Sequence, residues 1–301
     1  MSDSEQLSAG LDQDISDIKP AEAFVIPSQA SKTIWDVNAN NILQISSQII
    51  SLIKNNKISI QMVLHLIDVF SILRVKNIQY YAELYQKIST EFSYNKCPKN
   101  DELSKMLYCK GFIAGDFNPC FYQATEEEIL NIYDTESPLY YIAWDKVDEL
   151  KIKFPNLDIN KKIDYEITPL DCAIKYGSDL CFNYLKNMGA MYTEKSSKYA
   201  VMGVNINIFS QMIEDGQSFD KLINKALRYK NYKIAQYLKS NFGQHPNSIA
   251  KSMYFGNYDI AYYLLSNGAN INDVYDFFLF LFIIVILDSI SFYIYHCLMR
   301  F

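Results

Sequence analysis

The chain has 301 residues, half of them hydrophobic, and a formal net charge of −6 at pH 7. A chain of this length and apolar content can bury a substantial core in one or two domains, which excludes disorder throughout. The acidic balance lacks the clustered Lys and Arg that replace phosphate counterions, so it argues against nucleic acid as a partner.

Residues 1–34 are predicted to form a disordered acidic tail. The segment carries Asp and Glu where a secretory signal would carry basic residues followed by an apolar run. Pro20 and Pro27 interrupt it, and it has no sustained apolar periodicity. The sequence therefore predicts an intracellular protein that is not secreted.

Residues 35–125 are predicted to form a helical N-terminal unit with a connector. Apolar residues recur at three- and four-residue spacing in 42–53, 58–73 and 78–88, as they do in helices that bury one face. The breaks K-N-N-K and R-V-K-N suit short turns between antiparallel neighbours. The stretch 93–125 contains Pro and Gly and is predicted to connect this unit to the next.

A helix is written twice in the second half of the chain. N-Y-K-I-A-Q-Y-L-K-S-N at 231–241 and N-Y-D-I-A-Y-Y-L-L-S-N at 257–267 agree at eight of eleven positions. Small residues and glycines keep this register in earlier copies, with offsets of 27, 26 and 26 residues. A unit of two short helices cannot bury its own apolar face and completes its core by stacking on copies of itself. The sequence therefore predicts a repeat array over 126–276.

One segment carries the motif of a known repeat family. T-P-L at 168–170 is followed at the family's spacing by small and apolar residues, namely Ala173, Gly177, Leu185, Gly189 and Ala190. S-P-L-Y-Y-I-A at 137–143 is a weaker copy, and N-G-A-N-I-N at 267–272 matches the family's repeat ending. The chain thus resembles ankyrin-repeat proteins, and more specifically those, abundant in some protists, that carry an uncharacterised helical region before the repeats.

The resemblance implies an all-α fold in which the helical N-terminal unit precedes an ankyrin-like helical solenoid. The later copies repeat every 26 residues instead of the family's ~33, which predicts shortened hairpin fingers. Asp171 replaces the histidine of the family's T-P-L-H motif. The later repeats are degenerate, because the turn glycines are replaced by Lys146, Val204 and Lys230.

The resemblance also implies a non-catalytic scaffold or adaptor that binds an unidentified protein partner through the concave face of the array. In the family, the C-terminal end of each first helix faces that side. The residues that map there are Lys175, Tyr176, Met202, Arg228, Tyr229 and Tyr254. Tyr and Arg often dominate interface energies, but in a chain with 24 tyrosines a half-buried scaffold position is the alternative for each aromatic residue.

No motif points to catalysis, a metal or a cofactor. The sequence lacks G-x-x-x-x-G-K-[ST], G-x-G-x-x-G, G-x-S-x-G and H-E-x-x-H, and its six cysteines include no C-x-x-C pair. The thiols are predicted to be reduced and partly buried, and His65 to be a packing residue. An enzyme is the less favoured alternative. It stays open because the residues of a catalytic triad can be distant in sequence and form no recognisable motif.

Residues 277–301 form an apolar C-terminal segment. Within it, 277–299 are long enough for the ~30 Å hydrocarbon core of a bilayer and are a candidate membrane span. Asp288 argues against a span, since a central charge costs roughly 2.5–3.5 kcal/mol. A buried helix that covers the last repeat, or a misread or truncated reading frame, are the other interpretations. The second hypothesis for function is therefore a membrane-anchored protein whose C-terminal span is central to its role. An anchor of this kind would leave the repeats in the cytosol.

Overall fold

The computed structural model is helical through the residues that it describes, which are 18, 20, 22–112, 124–163 and 167–269. Within these ranges no strand occurs, and an isolated antiparallel bridge joins Ile163 to Ile167. The prediction of an all-α chain is confirmed. The predicted span over 277–299 lies outside the described residues, as does the tail before residue 18.

The chain divides into two compact units. The first combines the residues up to Leu130 with those from Asn247 onward, and the second is Asn131–Pro246. The sequence predicted one repeat array over 126–276, whereas the division into compact units falls inside that segment, between Pro246 and Asn247. The last helix pair of that segment belongs to the first unit, which also contains the N-terminal helices.

Residues 22–112, which the structure describes, contain five α-helices of the first unit: α1 (Glu22–Trp35), α2 (Ile42–Lys54), α3 (Ile60–Leu73), α4 (Ile78–Glu91) and α5 (Asp101–Cys109). A 3₁₀ turn, Val75–Asn77, precedes α4, and α6 (Glu126–Asn131) ends at the unit boundary. Helices α2, α3 and α4 are observed where apolar periodicity predicted them. Helix α4 packs against α2, α3 and α5, and α1 packs against α2 and α3.

Helix α1 corrects the prediction of disorder over residues 22–34. Pro27 lies inside this helix, where a proline removes a backbone hydrogen bond at a cost of about 3 kcal/mol. Phe24 and Ile34 are buried, and burying a large apolar side chain contributes about 1.5–3 kcal/mol. Packing therefore outweighs the local cost of Pro27, which sequence periodicity could not show.

The last helix pair, α15 (Ile249–Tyr254) and α16 (Tyr258–Ser266), supplies part of that packing. The Ser31 hydroxyl on α1 donates a hydrogen bond to the Gly256 carbonyl oxygen, with 2.7 Å between the two oxygens. Lys32, next to Ser31 on α1, forms an ion pair with Asp259 on α16, with 3.0 Å between Lys32 Nζ and Asp259 Oδ2. The ring of Phe24 lies 5.9 Å from that of Tyr262, centroid to centroid.

Helix α3 contacts the same pair through His65 and Leu66. His65 Nε2 lies 3.0 Å from the Tyr254 carbonyl oxygen, and the His65 and Tyr254 rings meet edge to face with centroids 4.7 Å apart. Burial lowers the pKa of His65 to about 4, although the hydrogen bond to Tyr254 opposes this shift. The ring is therefore neutral at pH 7, and its Nε2–H donates to the carbonyl. His65 packs as predicted.

The second unit consists of four helix pairs. They are α7 (Pro138–Ala143) with α8 (Val147–Lys153), α9 (Pro169–Tyr176) with α10 (Asp179–Asn187), α11 (Ser196–Ala200) with α12 (Ile206–Glu214), and α13 (Ile223–Arg228) with α14 (Tyr232–Phe242). The first helices contact one another in the order α7, α9, α11, and the second helices in the order α8, α10, α12. The first three pairs therefore pack side by side in chain order, and the fourth meets the third where the rings of Phe209 on α12 and Tyr237 on α14 lie 5.4 Å apart, centroid to centroid.

A left-handed residue marks the turn inside each pair, including the pair α15 and α16. These residues are Asp145, Gly177, Val204, Lys230 and Gly256, and they are 32, 27, 26 and 26 residues apart. The turn positions predicted at Val204 and Lys230 are observed. The one predicted at Lys146 is wrong by a residue, because Asp145 takes the left-handed conformation and accepts hydrogen bonds from the backbone N–H groups of Leu180 and Cys181 in the next pair.

Asp171 connects two pairs of the second unit. Thr168 caps α9 by accepting a hydrogen bond from the Asp171 backbone N–H, with Pro169 in the first turn. The buried Asp171 carboxylate accepts from Thr193 Oγ1 at 2.6 Å and from Ser196 Oγ at 2.5 Å. The carboxylate therefore links α9 to the start of α11, at the position where the resemblance expected a histidine.

Candidate functional site

The six predicted contact residues are half-buried and lie in both units. Lys175, Tyr176, Met202, Arg228 and Tyr229 are in the second unit, at or just after the C-terminal ends of first helices. Tyr254 is in the first unit, where its ring packs on His65. The candidate site is therefore built from the second unit alone.

Two tyrosine rings meet at the C-terminal end of α9. Tyr133 and Tyr176 pack edge to face with centroids 5.9 Å apart, and the Tyr176 hydroxyl donates to that of Tyr133 at 3.4 Å. The Lys175 ammonium lies 5.0 Å from the centroid of the Tyr176 ring. Such ring pairs contribute about 0.5–1.5 kcal/mol beyond burial, so this part of the surface is held in place before any partner arrives.

Tyr229, the residue directly after α13, interacts electrostatically with Tyr176. Burial raises the pKa of Tyr229, Arg228 opposes the shift, and the Tyr176 hydroxyl adds to it. Tyr176 and Tyr229 are therefore within electrostatic reach of each other. In the repeat register the position between them is Gly203, which has no side chain to separate the two tyrosines.

Lys225 is within electrostatic reach of two other cations. Burial lowers the pKa of Lys225 on α13, and the charges of Arg228 and Lys198 lower it further. Lys198 on α11 is exposed, whereas Lys225 and Arg228 are half-buried. Like charges disfavour one another when they share a partly desolvated place, so this group gains free energy from an approaching negative charge.

The accessible charges on the first helices of the second unit are positive. Their charged residues are Asp171, Lys175, Lys198, Lys225 and Arg228. Asp171 is buried beneath hydroxyl donors, so cations dominate the accessible charge. Within the described ranges, Lys175, Lys198 and Lys225 form no ion pair with a carboxylate.

We name this group the basic aromatic cluster and define it as Tyr133, Lys175, Tyr176, Lys198, Lys225, Arg228 and Tyr229. Sequence reasoning missed Tyr133, Lys198 and Lys225. Tyr133 precedes the first helix pair, and the two lysines lie one turn before the helix ends that the family resemblance selects. The signal that could have found the lysines is the excess of basic residues in the first helices of an acidic chain. Met202 is half-buried in the turn after α11 and lies outside the cluster as defined.

The described residues contain no group of three or more His, Cys, Asp or Glu side chains placed to hold a metal ion. Cys172 and Cys181 are buried, and their thiols donate to the carbonyl oxygens of Leu139 and Tyr141. Burial together with Asp145 raises the pKa of the Cys181 thiol. A thiol with a raised pKa is a poor nucleophile, so Cys181 is suited to packing.

Comparison with protein-family models, with curated proteins and with solved structures gives no match for this chain. In the part of the chain that the structure describes, no helix has the length and apolar character needed to cross a membrane. The functional interpretation therefore depends on the basic aromatic cluster and on the helix pairs that carry it.

Proposed function

We propose that this chain is an intracellular, non-catalytic scaffold with an ankyrin-like helical solenoid, which binds a protein partner at the basic aromatic cluster. The regular spacing of the left-handed turns supports a solenoid, as do the ordered contacts of successive first and second helices. Shortened fingers belong to the same proposal, because only eight residues separate α12 from α13.

The observation that carries the proposal is that Tyr176, Arg228 and Tyr229 occupy corresponding ends of first helices in two helix pairs of the second unit. All three are half-buried, so each is held by its neighbours while part of it stays accessible. Tyr and Arg are enriched among the residues whose truncation costs most binding energy. Affinity would come from a few desolvated contacts, on a surface that loses little conformational entropy when the partner binds.

A membrane-anchored role is the second candidate. The apolar run F-F-L-F-L-F-I-I-V-I-L at 277–287 favours it, because a stretch of this character partitions out of water. The two candidates are compatible, since an anchor would place the basic aromatic cluster next to a membrane without changing its chemistry.

The proposal is tested by capture with matched variants of the full chain. The cluster variant combines Tyr176→Ser, Arg228→Gln and Tyr229→Ser. The control variant changes the same residue types or charge on second helices, through Tyr184→Ser, Lys233→Gln and Tyr237→Ser. Each protein is immobilised, exposed to an extract of its own cells, and checked by circular dichroism for retained helix content.

We expect a protein partner that wild type and the control variant retain to be lost from the cluster variant, with affinity at least about tenfold lower. Equal retention by the cluster variant and the control would show that the partner binds elsewhere. The proposal would then be wrong.

A further inference from the structure

We infer that the partner segment taken by the basic aromatic cluster is an acidic peptide that carries an aromatic or large apolar side chain. This inference rests on the proposed function and names the chemistry of its partner. It follows from how charge, spacing and ring surface are combined in the second unit.

Charge complementarity is the first step. The first helices of the second unit present Lys175, Lys198, Lys225 and Arg228, and their single acid, Asp171, is buried and hydrogen-bonded to hydroxyl groups. The whole chain carries a net charge of −6. This cationic surface is therefore a local exception, which attracts anionic segments and disfavours basic ones.

The spacing of the cations is the second step. Lys175 lies on α9, Lys198 on α11, and Lys225 and Arg228 on α13, so three successive helix pairs each contribute at least one positive charge. A peptide that crosses the pairs in order would meet these charges one after another. An extended segment with several carboxylates matches this arrangement better than a single anion does.

The tyrosines are the third step. The rings of Tyr133 and Tyr176 are packed edge to face, so part of their apolar surface is fixed beside the cations. The half-buried Tyr229 hydroxyl can donate a hydrogen bond to a carboxylate. An aromatic or large apolar side chain within the acidic peptide would cover the ring surface and exclude water from the ion pairs.

The mutual repulsion of the cations supports the same conclusion. Burial lowers the pKa of Lys225, and the charges of Arg228 and Lys198 lower it further, so a carboxylate beside Lys225 would favour its charged form. Binding should therefore raise the pKa of Lys225 towards its ordinary value.

The test uses the full chain and a short fluorescein-labelled peptide of Asp and Glu with one central Phe. The matched probes are the same peptide with Asn and Gln in place of the acids, and a labelled single-stranded oligothymidylate of similar charge. A second variant, the lysine variant, combines Lys198→Gln with Lys225→Gln. The control variant, Lys161→Gln with Lys233→Gln, removes the same charge from exposed lysines elsewhere in the second unit.

We expect the acidic peptide to bind, the neutral peptide to bind at least about tenfold more weakly, and added salt to weaken the interaction. The lysine variant should bind the acidic peptide at least about tenfold more weakly than wild type does, and its control, with Lys161→Gln and Lys233→Gln, should match wild type. Circular dichroism of both variants checks that the helix content is retained.

Three results would overturn the inference: no binding of the acidic peptide, equal loss in the control variant, or equally tight binding of the oligothymidylate. The capture experiment separates this failure from failure of the proposed function. If capture still depends on Tyr176, Arg228 and Tyr229 while the acidic peptide fails to bind, the scaffold stands and its partner has another chemistry.

Discussion

Position 256 requires glycine for two reasons, the left-handed backbone conformation and the close packing of neighbouring side chains. Its φ of +68° disfavours any side chain, and a Cβ there would lie 2.8 Å from Leu66 Cδ2 and would also collide with the Ser31 hydroxyl. Gly268 has a similar φ of +71°, but a Cβ there would meet nothing within 4 Å. The two glycines therefore separate the cost of the backbone conformation from the cost of crowding.

Replacing Gly256 by Ala should destabilise the first unit by about 2–4 kcal/mol, since about 1–2 kcal/mol of left-handed strain adds to the overpacking against Leu66 and Ser31. Gly268→Ala should cost only the strain, about 1–2 kcal/mol. Urea unfolding followed by circular dichroism measures both. Equal losses in the two variants would contradict the tight fit of Gly256 against α1 and α3.

At the scale of elements, the duplicated helices α14 and α16 differ where their surroundings differ. The three unmatched positions are Lys233, Gln236 and Lys239 in α14, against Asp259, Tyr262 and Leu265 in α16. Asp259 forms the ion pair with Lys32, and Tyr262 packs on Phe24. Two of the three changes thus adapt the repeated helix to α1.

The contact between α3 and α15 should depend on pH. The folded pKa of His65 is lowered from 6.5 to about 4, so the unfolded state binds the proton more readily. The stabilisation is fully present above about pH 6.5 and is lost as pH falls through about 4. Between about pH 7.5 and about pH 5, the loss should be about 2 kcal/mol in the free energy of unfolding.

Urea unfolding of the first unit at the two pH values measures this loss. His65→Gln should remove most of it, whereas His245→Gln, at an exposed histidine of the second unit, should leave it unchanged. Asp68, whose pKa is raised by burial, titrates in all three proteins and cancels in the comparison. An unchanged acid dependence in His65→Gln would contradict the account.

The sequence pattern predicted the positions of helices better than it predicted the compact unit to which each helix belongs. Helices α2, α3 and α4 carry clear apolar periodicity, whereas α1 contains Pro27 and is ordered by residues distant in sequence. The repeat pattern predicted α14 and α16 as equivalent, because shared apolar positions do not encode which neighbour each helix packs on. In the candidate site the register selected Tyr176 and Arg228, but Tyr133 and Lys225 lie off the register.

At the scale of the whole molecule, one helix-pair pattern serves two compact units. Four pairs form the second unit and carry the basic aromatic cluster, while the fifth pair completes the first unit with α1 and α3. The same helix-pair sequence pattern therefore occurs in two different cores, with a few side chains changed. Unit membership of α15 and α16 is the central structural claim.

Hydrogen exchange measured by mass spectrometry on the full chain tests this claim most directly. The variant Asp259→Lys with Tyr262→Gln gives α16 the residues of α14 at the two positions that contact α1. We expect faster exchange in α1, α3 and α15, because the ion pair and the ring contact are lost, and unchanged exchange over residues 167–245. Unchanged protection of α1 and α3, with faster exchange in α13 and α14 instead, would contradict the account.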